Sequence, residues 1–198
     1  MKSILLASVV GLLSLATNHA QEIGKAAPAF TAKNSKGEAV SLADFKGKTV
    51  VLEWLNFECP FVRKHYSSGN MQKLQADAAA KDVVWLSVNS AAEGKQGHCS
   101  PAKMTDCIVK EGIKSAHVLI DSDGAVGKSY GAKVTPHLFI IKKDGVLAYD
   151  GAIDSKPSTD AADIATADKL FANALDAVIA GKEVANAKNK PYGCGVKY

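Results

Sequence analysis

Apolar residues along this chain occur in short continuous runs that alternate with helical stretches. The runs "KTVVLEWLNF", "VVWLSVN" and "HVLIDSDG" are rich in β-branched residues, which is typical of buried strands. Between and after them the pattern becomes helical, in the segments 60–81, 100–113, 125–132 and 167–182. Strands that alternate with helices predict an α/β fold with a sheet covered on both faces.

Turn signals divide these elements further. "HLFIIKKDGVLAYDGAI" predicts two strands joined by a Lys-Asp-Gly turn, so part of the sheet must be antiparallel and the sheet mixed. The helical segment 60–81 should break at 67–70, and Ser100 followed by Pro101 is a typical helix start. The polar segment 154–163 predicts a surface loop, and 182–198 an extended tail.

Composition is that of an ordinary globular domain, with 47% hydrophobic and 22% charged residues in 198. The formal net charge is only +4, and the basic residues do not cluster. Nucleic acid is therefore not an expected partner. Neither a glycine-rich phosphate loop nor a dinucleotide fingerprint occurs, so we expect no organic cofactor.

The first twenty residues resemble a secretory signal peptide: Lys2, then the apolar stretch Ile4–Ala16, then small and polar residues to Ala20. The apolar stretch is shorter than the ~20 residues that a membrane-spanning helix needs. We therefore expect a signal peptide at 1–20, a domain at 21–181 and the tail at 182–198. The mature protein should be periplasmic or secreted, without a membrane anchor.

Export permits disulfides, so the four cysteines matter. Cys59, Cys99, Cys107 and Cys194 allow three pairings, among which the sequence does not choose. Cys99 and Cys107 are near neighbours in the chain and predict a local structural disulfide. A metal site that includes His98 is the alternative, although the spacing of the two cysteines is not that of a zinc knuckle.

Cys59 lies where a strand ends and a helix begins, directly before Pro60. A proline at the first helical position makes Cys59 the N-cap, where backbone N–H groups and the helix dipole stabilise a thiolate. Arg63, the only arginine in the chain, lies one turn further on, and Lys64 and His65 add positive charge. A nucleophilic thiol is predicted, although a buried inert cysteine is the alternative.

The segment "IGKAAPAFTAKNSKGEAVSLADFKGKTVVLEWLNFECPF", together with "VTPHLFII" and "KDGVLAYDGAI", resembles the redoxins. These are thioredoxin-fold proteins that include peroxiredoxins and exported thiol-disulfide oxidoreductases. The resemblance covers residues 22–181 and is strongest to a peroxiredoxin-like branch whose members can end in "PYGC". It implies a thioredoxin-like mixed sheet with helices on both faces, and a cis-proline at Pro136 that faces Cys59.

The active-site pattern departs from both better-known relatives. Thioredoxins carry a second cysteine close to the first, whereas here Asn56 and Val62 occupy the neighbouring positions. Peroxiredoxins carry a proline and a Thr or Ser where this chain has Leu52 and Asn56, and they use a distant arginine that it lacks. Arg63 is the only possible substitute. Whether peroxide or a disulfide is the substrate stays open.

The resemblance favours a thiol-dependent oxidoreductase in which Cys59 attacks a peroxide or a disulfide. Arg63 would activate the thiolate, Asn56 would donate a hydrogen bond to the substrate, and Pro136 would shape the site. Cys194, between two glycines in a flexible tail, is the candidate resolving cysteine, unless its bond to Cys59 is only a structural clip. A thioredoxin-like protein or a small thiol would supply electrons.

Two alternatives use the same residues differently. The first is copper binding as in Sco-type proteins, with Cys59, His65 and His137 as soft ligands. Otherwise His65 is a solvated helix residue and His137 starts a strand. The second is a noncatalytic binding module whose partner surface is formed by the aromatic residues around Cys59, although such residues more often pack inward. Those residues are Trp54, Phe57, Phe61 and Tyr66.

Overall fold

The computed structural model describes residues 22–198, so the predicted signal peptide lies outside the described residues. In this part of the chain, seven strands form one mixed sheet and two short strands form a second. The strands are β1 Thr31–Asn34, β2 Ala39–Ser41, β3 Thr49–Trp54, β4 Val83–Asn89, β5 His117–Ile120, β6 Val134–Thr135, β7 His137–Ile141, β8 Leu147–Gly151 and β9 Cys194–Gly195.

The helices lie in the predicted segments. They are α1 Pro60–Ser67, α2 Asn70–Ala80, α3 Pro101–Glu111, α4 Ala125–Ser129 and α5 Leu170–Ile179, with 3-10 turns at Leu42–Phe45 and Ala161–Ala165. The expected break in 60–81 falls between α1 and α2, where Gly69 has a φ of 75° and caps α2. The expected helix start at Ser100 is also confirmed, because the Ser100 side chain accepts a hydrogen bond from the Lys103 N–H.

The seven-stranded sheet has the order β2-β1-β5-β4-β3-β7-β8. Strand β4 pairs in parallel with β3 and β5, whereas β7 pairs antiparallel with β3 and β8. The predicted mixed α/β sheet, including the hairpin of β7 and β8, is therefore confirmed. The sequence pattern did not predict β1 and β2, because they are only four and three residues long and each has a single buried residue.

Strand β3 runs through the centre of the sheet, and all six of its residues are buried. Alternate side chains point to opposite faces of a strand, so β3 contributes to two apolar clusters. Val51 packs in the cluster that includes Tyr66 of α1 and Phe171 of α5. Leu52 packs in the other, which includes Val126 of α4. Helices therefore cover both faces, and β3 delivers the chain to the start of α1.

The C-terminal tail is tied to the domain along its length. The Asp150 N–H donates to the Ala187 carbonyl, and the Asn189 carboxamide oxygen accepts from the Ala152 N–H at 2.8 Å. Further on, β9 pairs antiparallel with β6. The flexible tail expected from the sequence is instead an ordered strap in this structure. Among residues 22–198, no helix combines the length and hydropathy needed to cross a membrane.

Candidate active site

Cys59 is the N-cap residue of α1, and Pro60 takes the first helical position. The Cys59 N–H donates to the Asn56 carbonyl at 2.9 Å, and the Cys59 carbonyl accepts from the Arg63 N–H at 3.0 Å. This is the strand-to-helix junction that the sequence predicts. The Cys59 side chain is 0% exposed, so the sulfur lies beneath other parts of the chain.

The Cys59 thiol faces the loop that contains Thr135 and Pro136, which are joined by a cis peptide bond. The Cys59 Sγ donates to the Thr135 carbonyl at 3.1 Å. The Thr135 hydroxyl is buried and has no partner of its own. The expected cis-proline element therefore lies across the site from Cys59. Thr135, which the sequence analysis did not single out, contributes the polar groups that contact the sulfur.

The environment of Cys59 lowers its pKa from the ordinary value. Burial alone would raise this pKa, but hydrogen bonds that the ionised sulfur accepts from the Cys194 thiol, the Thr135 side chain and backbone N–H groups outweigh it. The unpartnered Thr135 hydroxyl fits this role, because it is free to donate once the thiol becomes a thiolate. Hydrogen-bond donors, rather than a neighbouring cation, favour the thiolate here.

Cys194 reaches Cys59 because β9 lies antiparallel to β6. Thr135 is paired with Cys194, and Val134 with Gly195. At Gly193 the φ is 141°, and a Cβ atom would collide with the Thr135 carbonyl, so only glycine fits. Burial, together with the hydrogen bond to Cys59 and its charge, raises the pKa of Cys194 to about 11.

Arg63 and Asn56 do not have the contacts that the sequence analysis expected of them. The Arg63 side chain is exposed, and it is not among the groups that shift the Cys59 pKa. The Asn56 amide is buried and engaged, since it donates to the Gln96 carbonyl at 3.3 Å and accepts from the Glu58 N–H at 2.9 Å. Asn56 thus holds the turn into Cys59. Catalytic roles for both residues stay predictions.

Cys99 and Cys107 form a second pair of neighbouring thiols, as the sequence predicts. Cys99 precedes the Ser100 cap of α3, and Cys107 lies within α3. Burial and the neighbouring Cys107 raise the pKa of Cys99 to about 11. All four cysteines are free thiols in this structure, so both disulfides stay predictions.

A buried polar cluster beside the site was not predicted. Lys64 and His65 are 2% and 0% exposed, so the expectation that His65 is a solvated helix residue is wrong. They face Asp154, the first residue of the predicted surface loop, which is buried as well. Tyr192 closes the cluster from the tail, with its hydroxyl 2.5 Å from Asp154 Oδ1 and 3.2 Å from His65 Nε2. No local signal marks this cluster, because its members are distant in sequence.

In the two histidines considered as copper ligands, His65 and His137, both ring nitrogens already have hydrogen-bond partners. His65 bonds to Tyr192 and Asn70, whereas His137 bonds to Asp150 at 2.8 Å and accepts from the Lys133 N–H. Within residues 22–198, no group of three or more His, Cys, Asp or Glu residues is arranged to hold a metal ion.

Two of the four aromatic residues that were expected to form a partner surface belong to the apolar core. Trp54 is 0% exposed and Tyr66 is 3% exposed, and each belongs to one of the two apolar clusters. Only Phe57 and Phe61 are partly exposed. These aromatic residues therefore pack inward, as such residues usually do.

A thioredoxin-like fold with a cysteine at the start of α1 and a cis-proline opposite defines the class of thioredoxin-fold thiol proteins. The chain belongs to the Redoxin family, which it matches over residues 22–169.

Relatives and solved structures agree with this assignment. The thiol-disulfide oxidoreductase ResA of Bacillus thuringiensis subsp. konkukian is 32% identical over 128 residues, which cover 63% of this chain and 66% of ResA. The chain thus spans a little less than two thirds of this relative.

An uncharacterized conserved protein of Geobacillus kaustophilus has a similar structure, with a TM-score of 0.75, 29% identity, and 89% of this chain and 92% of that chain covered. A hypothetical protein of Sinorhizobium meliloti gives a TM-score of 0.75 at 23% identity, with 91% and 96% covered. Both resemblances extend over nearly the whole described domain.

Proposed function

We propose that this redoxin is a thiol-dependent oxidoreductase that cycles between a Cys59/Cys194 dithiol and a Cys59–Cys194 disulfide. One observation carries the proposal: β9 pairs with β6 so that Cys194 lies opposite Thr135, whose carbonyl accepts the hydrogen bond of the Cys59 thiol, and the two cysteines therefore meet at the start of α1. The Cys59 pKa is lowered and that of Cys194 is raised to about 11. The proton therefore stays on Cys194 while Cys59 becomes the nucleophile.

With a disulfide substrate, the Cys59 thiolate attacks one substrate sulfur and releases the other as a thiolate. Cys194 then gives up its proton to the released thiolate and attacks Cys59 Sγ, which displaces the second substrate sulfur as a thiolate. This thiolate takes up from solvent the proton that Cys59 released when it ionised. The substrate disulfide gains two electrons and two protons, and the protein ends as the Cys59–Cys194 disulfide. A thioredoxin-like protein or a small thiol would then reduce it.

A peroxide is the second candidate substrate, and the burial of Cys59 favours it. Because the Cys59 side chain is 0% exposed, a small molecule reaches the sulfur more easily than a folded protein does. The thiolate would attack the peroxide oxygen and give a sulfenic acid and water or an alcohol. The Cys194 thiol would then condense with the sulfenic acid, releasing water and forming the same disulfide.

The proposal on location rests on the sequence alone. We propose export to the periplasm or the exterior, because residues 1–20 have the features of a signal peptide. In such an oxidising compartment the Cys99–Cys107 disulfide would persist, while Cys59–Cys194 would need a dedicated reductant. Fractionation of cells that express the full chain, with a version that lacks residues 1–20 as control, tests this proposal.

Mass-spectrometric mapping of the oxidised protein tests the reaction. Reduced protein is exposed to oxidised glutathione or to hydrogen peroxide at less than one equivalent and then alkylated. We expect the Cys59–Cys194 disulfide to form with the oxidant that acts as the substrate. The oxidant that forms this disulfide faster identifies the substrate class.

Two variants serve as controls. Cys194→Ser should stop the reaction at a Cys59 mixed disulfide or sulfenic acid, whereas Cys107→Ser should leave Cys59–Cys194 formation unchanged. A Cys59 that stays unmodified with both oxidants would refute the proposal.

A further inference from the structure

We propose that Tyr192, clamped between His65 and Asp154, is the positioning residue that holds Cys194 against Cys59. The inference rests on the proposed function, since it takes the reaction between these two cysteines as the step that is positioned. In addition, it assigns a role to a buried polar cluster that the redox chemistry itself does not use.

The hydrogen bonds of the cluster run in one direction. The Asn70 side-chain amide donates to His65 Nδ1 at 2.9 Å, so the ring proton is on Nε2. His65 Nε2 then donates to the Tyr192 hydroxyl, which in turn donates to Asp154 Oδ1. Burial lowers the pKa of His65 to about 4, so at neutral pH the ring keeps the neutral form that this chain of bonds requires.

A buried ion pair lies beneath Tyr192. Lys64 Nζ is 3.9 Å from Asp154 Oδ2 and 3.1 Å from the Lys156 carbonyl, and its side chain is fully buried. The ammonium is 5.7 Å from the centre of the Tyr192 ring. When the tail docks, the Tyr192 hydroxyl donates a charge-assisted hydrogen bond to Asp154, and its ring faces the Lys64 ammonium. These two contacts favour the docked tail.

The anchor lies two residues before Cys194, and the segment between them has little freedom. The Gly193 backbone approaches the Thr135 carbonyl so closely that a Cβ atom does not fit. Phe61 of α1 also packs against the Tyr192 ring, with the centres 5.8 Å apart. Once Tyr192 is docked, Cys194 is therefore confined next to the start of α1. The anchor raises the effective concentration of Cys194 at Cys59.

The matched variants Tyr192→Phe and Tyr198→Phe test this role, because each removes one hydroxyl from the same tail. The Tyr198 hydroxyl also makes a hydrogen bond, donating to the Ala132 carbonyl at 2.8 Å, but it touches no charged group of the cluster. Two quantities are measured: the equilibrium constant for Cys59–Cys194 formation in glutathione buffers, and the rate at which iodoacetamide labels Cys59 in the reduced protein.

We expect Tyr192→Phe to lower the equilibrium constant and to accelerate Cys59 labelling, each by roughly tenfold, from the loss of a hydrogen bond to a carboxylate. Tyr198→Phe should change both by less than about threefold. Equal effects of the two variants would overturn the proposal.

The pair Asp154→Asn and Asp154→Ala separates the hydrogen bond from the charge. Both variants remove the charge opposite Lys64, but only asparagine keeps an oxygen that accepts from Tyr192. We expect iodoacetamide to label Cys59 several-fold more slowly in Asp154→Asn than in Asp154→Ala. Equal labelling rates would count against Tyr192 as the anchor. Should the wild-type protein form no Cys59–Cys194 disulfide, the proposed function fails, but the labelling rates still decide the anchor.

Discussion

The two thiol pairs of this protein are similarly buried but chemically different. Cys59 and Cys99 are 0% and 3% exposed, yet the pKa of Cys59 is lowered while that of Cys99 is raised to about 11. Cys59 lies among hydrogen-bond donors: the Cys194 thiol, the Thr135 hydroxyl and backbone N–H groups. For Cys99, burial and the nearby Cys107 oppose ionisation.

The difference shows that burial alone does not set the direction in which a cysteine pKa is shifted in this protein. At Cys59 the groups that lower the pKa come from three distant parts of the chain, whereas at Cys99 the neighbouring thiol of the same local segment raises it. If the proposed function holds, the Cys59/Cys194 pair exchanges electrons with a substrate, whereas the Cys99/Cys107 pair closes a local loop.

The largest effect on turnover is expected from replacing Cys59, and a replacement in the Cys99/Cys107 pair serves as the control. Cys59→Ser should lower turnover on the preferred oxidant by on the order of a thousandfold, because a serine hydroxyl does not ionise at neutral pH. Cys107→Ser should retain activity within a few-fold. Oxidant-dependent consumption of a reductant measures both, and an equal loss in the two variants would remove the division between the pairs.

A pH titration of the thiolates should resolve the two pairs directly. Thiolate absorbance in variants that retain only Cys59 and Cys194, or only Cys99 and Cys107, reports ionisation as the pH rises. Cys59 should ionise below the ordinary cysteine value, whereas Cys99 should stay protonated until about pH 11. Overlapping titrations would show that the donors around Cys59 do not outweigh its burial.

Stability should report the local pair in a variant that cannot form the Cys59–Cys194 disulfide. In Cys59→Ser, closing the short loop between Cys99 and Cys107 is expected to add about 2–3 kcal/mol to the free energy of unfolding. We therefore expect oxidised Cys59→Ser to unfold at a higher denaturant concentration than the reduced form. The difference should vanish when Cys99→Ala and Cys107→Ala are added. Equal unfolding midpoints for oxidised and reduced Cys59→Ser would contradict a stabilising Cys99–Cys107 disulfide.

The smallest effect concerns one hydroxyl. Thr135→Val removes the buried donor beside Cys59 while keeping the shape of the side chain, and it should raise the Cys59 pKa. Thr105→Val, which removes an exposed hydroxyl from α3, is the matched control and should leave that pKa unchanged. A titration that is the same in both variants would mean that Thr135 does not contribute.

Much of the fold and the position of Cys59 at the start of α1 were predictable from local sequence. Apolar runs identify β3, β4 and β7, because these strands are buried on both faces and must be continuously apolar. Pro60 identifies the start of α1, and hence Cys59 as its cap, because proline is tolerated at the first helical position.

The rest of the site depends on contacts between residues distant in sequence. Tyr192 bonds to His65 and Asp154, and nothing in the local pattern of "RKHY" distinguishes a buried Lys64 and His65 from a solvated helix face. The side chain of Arg63 points to solvent, because its two neighbours occupy the buried face of α1. Sequence pattern fixes which residues lie near a helix start but not which way each side chain points.

Peptide mapping during turnover is the most direct test of the central claim. The protein is given oxidant and reductant together, quenched with acid at intervals, alkylated, and analysed for both disulfides. The account predicts that Cys59–Cys194 is the pair that forms and disappears with turnover, while Cys99–Cys107 stays constant. Cycling of Cys99–Cys107, or turnover with Cys59–Cys194 permanently oxidised, would contradict it.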